Sequence, residues 1–324
     1  MAVLAAIKSP VVDDLQEFNK YFRKYVHSKA PLLNIITNYL LKRKGKQLRP
    51  TLVFLTARLF GDVSKSTYHA ATLIELMHTA TLIHDDVVDD AHQRRGILSI
   101  NALWKNKVAV LVGDYLLSKG LLLAVDNKEF DLLRIVSEAV QEMSEGELIQ
   151  IEKARKLDIT EDIYFDIIWK KTATLIAACA ESGARSAGAD NSMIEDIKLF
   201  GKNIGIAFQI KDDLFDYKQS SVIGKPAGND LKEKKMTLPL IYVLNKISPS
   251  EKKAIIKTIK NHNNNRKKIK EIISIVEKNG GMAYAEQKMY EYKQKADEIL
   301  NKFPDNPARE SLKEFVEFTA ERKK

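Results

Sequence analysis

Two short acidic runs could do the most chemistry in this chain: His84-Asp85-Asp86-Val87-Val88-Asp89-Asp90 and Lys211-Asp212-Asp213-Leu214-Phe215-Asp216-Tyr217. Each is a DDxxD pattern at the end of an apolar stretch whose three- and four-residue spacing predicts a helix. On a helix residues i and i+4 share a face about 5.4 Å apart, so Asp85 stacks with Asp89 and Asp212 with Asp216. Carboxylates paired in this way bind hard cations. Magnesium keeps several waters and takes one or two carboxylates together with phosphate oxygens, so two separate triads suit a chelated diphosphate better than a closed protein cage. A single triad reads as readily as a solvated acidic helix end; two copies, each behind ten or more mostly apolar residues, weigh against that reading. Carboxylates at a helix C-terminus oppose the helix dipole and require counter-charge.

Candidate counter-charges sit near both runs. Extending the first acidic face upstream adds Thr81 and His78, and extending the second adds Gln209. Gly45-Lys46-Gln47-Leu48-Arg49-Pro50 joins two helical stretches, and Arg94-Arg95-Gly96 follows the first triad. Lysine supplies a point charge and arginine a planar fork for phosphate oxygens, although as isolated features both groups also read as ordinary surface. Lys170-Lys171-Thr172 is different, because it interrupts the apolar stretch 167–180. A lysine there must be paired or functional, since an isolated buried charge is costly. Lys225, in Gly224-Lys225-Pro226, lies in the loop after the second triad.

These residues need a helical scaffold, and the composition supplies one. Only 14 Gly and 8 Pro occur in 324 residues, which leaves few turn signals for strands. Apolar periodicity predicts helices over 32–41, 52–59, 70–84, 108–124, 132–152, 163–180 and 194–217. Breaks fall at Gly61-Asp62, Gly96, Asp126-Asn127, Gly188 to Asn191, Ile223 to Asn229 and Pro304 to Pro307. The expected fold is all-α, one helical bundle over 1–324.

Several function classes are excluded or disfavoured. The lone Cys179 rules out an internal disulfide and fits a reducing compartment. The N-terminal apolar run is too short, and too acidic downstream, for a signal peptide. The longest apolar candidate, 108–125, carries Asp114 and Lys119, so a cytoplasmic protein without a membrane span is expected. Of the net charge of +9, +7 lies from Lys246 onward, where 19 basic residues face 12 acidic ones. That excess suits solvated helix faces or an anionic membrane surface. The basic cluster Arg266, Lys267, Lys268 and Lys270 has no interleaved aromatic residues, and no nucleic-acid-binding signature occurs.

The ensemble Gly45-Lys46…Arg49, the Asp85 triad with Arg94-Arg95, Lys171-Thr172, Phe208-Gln209 with the Asp212 triad, and Gly224-Lys225 resembles the trans-isoprenyl diphosphate (polyprenyl) synthases, in the family's order, over 44–239. A helical region, 246–324, follows. The resemblance implies an isoprenoid-synthase bundle with a central cavity. Mg²⁺ would bridge the motifs through Asp85, Asp89 and Asp212, with Asp86, Asp213 and Asp216 nearby. Arg94, Lys171, Gln209 and Lys225, with Thr172 beside them, would hold an allylic diphosphate; Lys46, Arg49, His78 and Arg95 would hold isopentenyl diphosphate. Ionisation of the allylic C–O bond and attack by the isopentenyl double bond would need no side-chain nucleophile. The family also implies a homodimer, in keeping with the apolar faces around 108–124, and the basic C-terminal region allows peripheral contact with a membrane for product release. Arg322-Lys323-Lys324 would close over isopentenyl diphosphate.

Product length follows from the helix 70–84. Short-chain members of the family place bulky aromatics one turn below the first triad. Ala80 and Thr81 stand there instead, with Met77 and Ile74 further down and Val136, Val140 and Met143 on a neighbouring helix. A long, octaprenyl- or nonaprenyl-type product for a quinone tail is expected. Rival readings are a shorter-chain synthase, and an HD-type metal phosphohydrolase built on His84-Asp85 with His69 or His78. A terpene cyclase fits the second triad poorly, and a regulatory subunit would be expected to have lost part of a triad.

Overall fold

A computed structural model of the chain describes residues 2–42, 45–94, 97–218 and 228–322. It is 83% helical. In chain order the helices are α1 (Ala2–Lys8), α2 (Val12–Val26), α3 (Pro31–Lys42), α4 (Leu48–Phe60), α5 (Lys65–Val88), α6 (Ile100–Asp126), α7 (Phe130–Lys156), α8 (Glu161–Ile168), α9 (Thr174–Ser186) and α10 (Asn191–Tyr217). The short α11 (Asn229–Lys232) follows, then α12 (Leu238–Leu244), α13 (Pro249–His262), α14 (Arg266–Lys278), α15 (Gly281–Leu300) and α16 (Pro307–Glu321).

Each expected helix is present, and most extend outward to a cap that apolar periodicity does not register. Ser64 starts α5 with a capping box, its hydroxyl accepting from Thr67 N and its own N–H donating to Thr67 Oγ1 at 3.1 Å. Ser99 caps α6 and Thr160 caps α8 in the same sense. Two features were not expected. Gln93–Arg94 and Ile97–Leu98 form a two-residue antiparallel ladder, β1 and β2, with Arg94 opposite Ile97. The run expected as one helix over 163–180 is interrupted by a π-helical turn, Trp169–Ala173.

Contacts group the chain into two compact units. The first comprises Met1–Val140, Ala178–Lys198 and Phe303–Leu312, and the second Gln141–Ala177, Leu199–Lys302 and Lys313–Lys324. Each is assembled from three separated stretches, so no linker in the sequence could mark either one.

In the first unit Phe18 of α2 meets Phe54 of α4 edge-on at 5.9 Å, and Leu73, Ile74, Leu76, Leu116 and Leu123 fill the core between α5 and α6. Burial of side chains of this size removes about 1.5–3 kcal/mol each of unfavourable hydration. Gly113 and Gly120 lie seven residues apart on the α6 face that meets α5. A Cβ on Gly113 would strike the His84 ring, and one on Gly120 would come within 2.9 Å of Met77 Cε. The missing side chains are what let these two helices approach so closely. The opposite side of α6 exposes Leu103, Val110, Leu111, Leu121, Leu122 and Val125. Despite Asp114 and Lys119, α6 is long and apolar enough to cross a membrane by length and composition, with 39% of its most apolar stretch buried.

In the second unit the C-terminal part of α10 packs with α8, α12 and α13 to α15 around Ile206, Ile210, Leu214, Leu238, Ile259 and Val276. α14 buries Ile269, Ile272, Ile273 and Val276 along one stripe, while Lys267 and Lys270 face solvent.

Candidate active site

The first acidic run sits where α5 ends. Asp85 is half-buried in the last turn, Asp86 points inward and is buried, and Asp89 is the exposed C-cap, its N–H donating to Asp85 O at 2.8 Å. The Asp86 carbonyl is tied down by Asn101 Nδ2 at 3.1 Å and by Ala91 N at 2.9 Å, which joins the end of α5 to the start of α6. His84 turns to α6, where its Nε2 lies 3.5 Å from Asp114 Oδ1, so the His84-Asp85 doublet needed by a phosphohydrolase is not directed at one point. His78 is buried two turns upstream of Asp85. Lys46 is exposed just before α4, and Arg49 is half-buried in its first turn.

The second run lies in the second unit at the end of α10 and is bound into a hydrogen-bonded relay. Thr172 Oγ1 donates to Gln209 Oε1 at 2.8 Å, Gln209 Nε2 donates to Asp213 Oδ1 at 2.8 Å, and Tyr164 Oη donates to Asp213 Oδ2 at 2.8 Å. The π turn presents Lys171 and Thr172 side by side. An extra residue in the helical ring is frequent at functional sites. Lys170 lies 3.5 Å from Glu145 and Lys171 pairs with Glu147, so the lysines that interrupt the apolar stretch are indeed paired. The turn packs on Gly205, where a Cβ would overlap the Cα of Ala173.

Tyr164, Lys171, Thr172, Gln209 and Asp213 line a cavity of about 120 Å³, together with Asp230, Lys234 and Lys235. Burial pushes the Asp213 carboxyl well above the carboxylate range, and the charge of Asp230 adds to this. Burial likewise raises Asp230. Two carboxylates held in one desolvated place call for cations, and the cavity's lysines supply them.

The three aspartates of the second run have separate roles. Asp213 is locked in the relay. Asp216 accepts the backbone N–H groups of Asn229 at 2.9 Å and Asp230 at 3.0 Å, capping the segment after the loop. Asp212, with 42% of its side chain exposed, meets Arg322 at 2.7 Å. Among the described residues no three His, Cys, Asp or Glu side chains form a ready-made metal centre. The accessible carboxylates of Asp85, Asp89 and Asp212 still suit magnesium, which needs one or two of them and retains water. The inward Asp86 and Asp213 are less suited.

Arg95, Gly224, Lys225, Lys323 and Lys324 lie outside the described residues, and Arg94 is placed only as a backbone residue of the β1–β2 ladder. Within the second unit Lys171, Thr172, Gln209 and Asp213 line one cavity. Arg322, expected to close over isopentenyl diphosphate, is instead paired with Asp212, and Tyr164, Asp230 and Lys235 were not singled out. Tyr164 reads as an ordinary aromatic in an apolar stretch, and Asp230 as one charge in a solvated run. A buried partner decides both, and periodicity carries no sign of it.

An α-helical fold with aspartate-rich helix ends and, at the second of them, a lysine-lined cavity has the donor set that suits a diphosphate-handling enzyme. The chain belongs to the polyprenyl synthetase family, whose model matches residues 30–276. It is 34% identical to octaprenyl diphosphate synthase of Escherichia coli, over 95% of this chain and 96% of that protein. The crystal structure of a decaprenyl diphosphate synthase from Rhodobacter capsulatus superposes with a TM-score of 0.92 at 34% identity, covering 98% and 99% of the two chains. That of geranylgeranyl pyrophosphate synthase from Bacteroides thetaiotaomicron gives 0.85 at 38% identity, covering 99% and 100%.

Proposed function

We propose that the chain is a magnesium-dependent trans-prenyltransferase that condenses isopentenyl diphosphate with an allylic diphosphate, such as farnesyl diphosphate, into a long all-trans polyprenyl diphosphate for a quinone side chain. The observation that carries this reading is the convergence of Lys171, Thr172, Gln209 and Asp213 on one lysine-lined cavity beside the Asp212–Asp216 face. Magnesium on Asp85, Asp89 and Asp212 would supply charge stabilisation to a departing diphosphate. Lys171, with Lys235, puts fixed positive charge where negative charge develops as the C–O bond breaks. Gln209 orients the diphosphate by hydrogen bonding. Lys46, Arg49 and His78 form the isopentenyl side of the reading, and Arg94, Arg95 and Lys225 complete the cation set. The new C–C bond uses the isopentenyl π electrons, and the proton then lost goes to the released diphosphate.

The exposed apolar face of α6 supports a homodimer, and the basic outer face of α14 supports contact with an anionic membrane at product release. The reading includes a cytoplasmic location and one catalytic domain spanning the chain, and it has no place for nucleic acid. A shorter product, of the kind named for the geranylgeranyl relative, is the second reading. Incubating the purified chain with Mg²⁺, isopentenyl diphosphate and farnesyl diphosphate and chromatographing the extract tests the reaction and the product length. Elongated polyprenyl products are expected. Phosphate release without elongation, a cyclic hydrocarbon, or no turnover would each overturn the proposal.

A further inference from the structure

The cavity wall contains a group with no place in the chemistry above. Tyr164 is a buried side chain in the first turn of α8, and its ring meets Phe165 edge-on at 5.4 Å. Its hydroxyl is spent on Asp213 Oδ2. On the other oxygen Gln209 Nε2 donates to Asp213 Oδ1, and this bond together with the one from Thr172 gives the rotational sense of the Gln209 amide. Gln209 Oε1 is thereby turned to the Thr172 hydroxyl, and the remaining Nε2–H of Gln209 is left over as a donor. Were the amide reversed, a carbonyl lone pair would take the place of that donor.

We infer that Tyr164 is a positioning residue for diphosphate binding: by holding Asp213 inward it sets the amide of Gln209 with its donor edge available to an anion and its acceptor edge on Thr172. Tyr164 itself touches no substrate. It acts through Asp213 and Gln209, across three elements, α8, the π turn and α10. The inference rests on the reading of this cavity as a diphosphate site.

The test uses inorganic pyrophosphate with Mg²⁺, titrated calorimetrically into the full chain. Wild type binds; if it does not, the diphosphate reading itself fails. Tyr164→Phe keeps the ring and removes the hydroxyl, and is expected to weaken binding about tenfold, the size of one lost hydrogen bond to a charged group. In a Gln209→Ala background the same substitution is expected to change nothing, because the residue it acts through is gone. In steady-state assays the KM for the allylic diphosphate rises while that for isopentenyl diphosphate stays. Pyrophosphate affinity at the wild-type level in Tyr164→Phe overturns the inference, and so does a loss that persists undiminished without Gln209. Should Tyr164→Phe not fold, Thr172→Val cuts the relay at its other end and carries the same cycle, with Thr172→Ser expected to restore binding.

Discussion

The guanidinium of Arg322, on a side chain only 8% exposed, donates to Asp212 Oδ1 at 2.7 Å and to the Phe208 carbonyl at 3.1 Å. It also lies over the Phe208 ring, 3.8 Å from its centroid. The residue just past α16 is therefore clamped to the acidic run of α10. Burial lowers the Arg322 pKa, with Asp212 opposing that shift. Arg322→Ala removes the stack and both hydrogen bonds, but leaves an aspartate that water can reach. A loss of about 1–3 kcal/mol in urea denaturation is expected, below the range for breaking a fully buried pair. Amide exchange over 313–322 should accelerate, and Arg322→Lys should recover only part of the loss because it restores charge without the stack.

Lys105 adopts φ 73°, ψ 160° inside α6, a region essentially reserved for glycine. The side chain is exposed, so nothing it packs against repays the strain. Lys105→Gly should therefore stabilise the protein by about 1 kcal/mol, the relieved strain less the added chain entropy of glycine. A urea midpoint that falls instead would refute this.

Gly205 stands where α10 crosses the π turn. Gly205→Ala forces the two backbones apart and should cost about 1–3 kcal/mol. Because Thr172 sits in that turn and Gln209 one helical turn beyond Gly205, pyrophosphate affinity should fall together with stability. The equivalent calorimetric titration checks it.

Cys179 is fully buried, and desolvation pushes its thiol up to about 12, an effect that nearby Arg49 only partly opposes. A disulfide reagent at pH 8 should meet an unreactive thiol in the folded protein. Labelling should follow the unfolding transition measured by circular dichroism; rapid labelling of the native chain would contradict the burial.

The structure separates the two small residues below the first triad. Thr81 is half-buried on the same helical face as Asp85, whereas Ala80 is fully buried. Thr81→Phe should shorten the product with little effect on stability, while Ala80→Phe should cost about 1–3 kcal/mol through overpacking as well. Product chromatograms and melting curves of the two variants distinguish these outcomes, and unchanged product length in Thr81→Phe would remove the argument for a long-chain tunnel along α5.

Local chemistry sufficed for much of this protein. Helical periodicity placed α3 to α10, since an apolar stripe at 3.6-residue spacing has few other ways to be buried. The i, i+4 aspartates and the order of the cationic motifs sufficed to point to the family, because few residue types can bind a hard cation or an anionic diphosphate. What sequence spacing leaves undetermined is which way neighbouring side chains turn. Asp212, Asp213 and Asp216 are alike on paper, yet one meets Arg322 from 110 residues away, one is held by Tyr164 from 49 residues away, and one caps a segment 13 residues on. Such pairings depend on long-range packing: a buried carboxylate must find donors wherever the fold brings them, and that requirement has no signature in local sequence. The π turn belongs to the same class, a local departure inside the stretch 163–180, whose own periodicity predicts a regular helix.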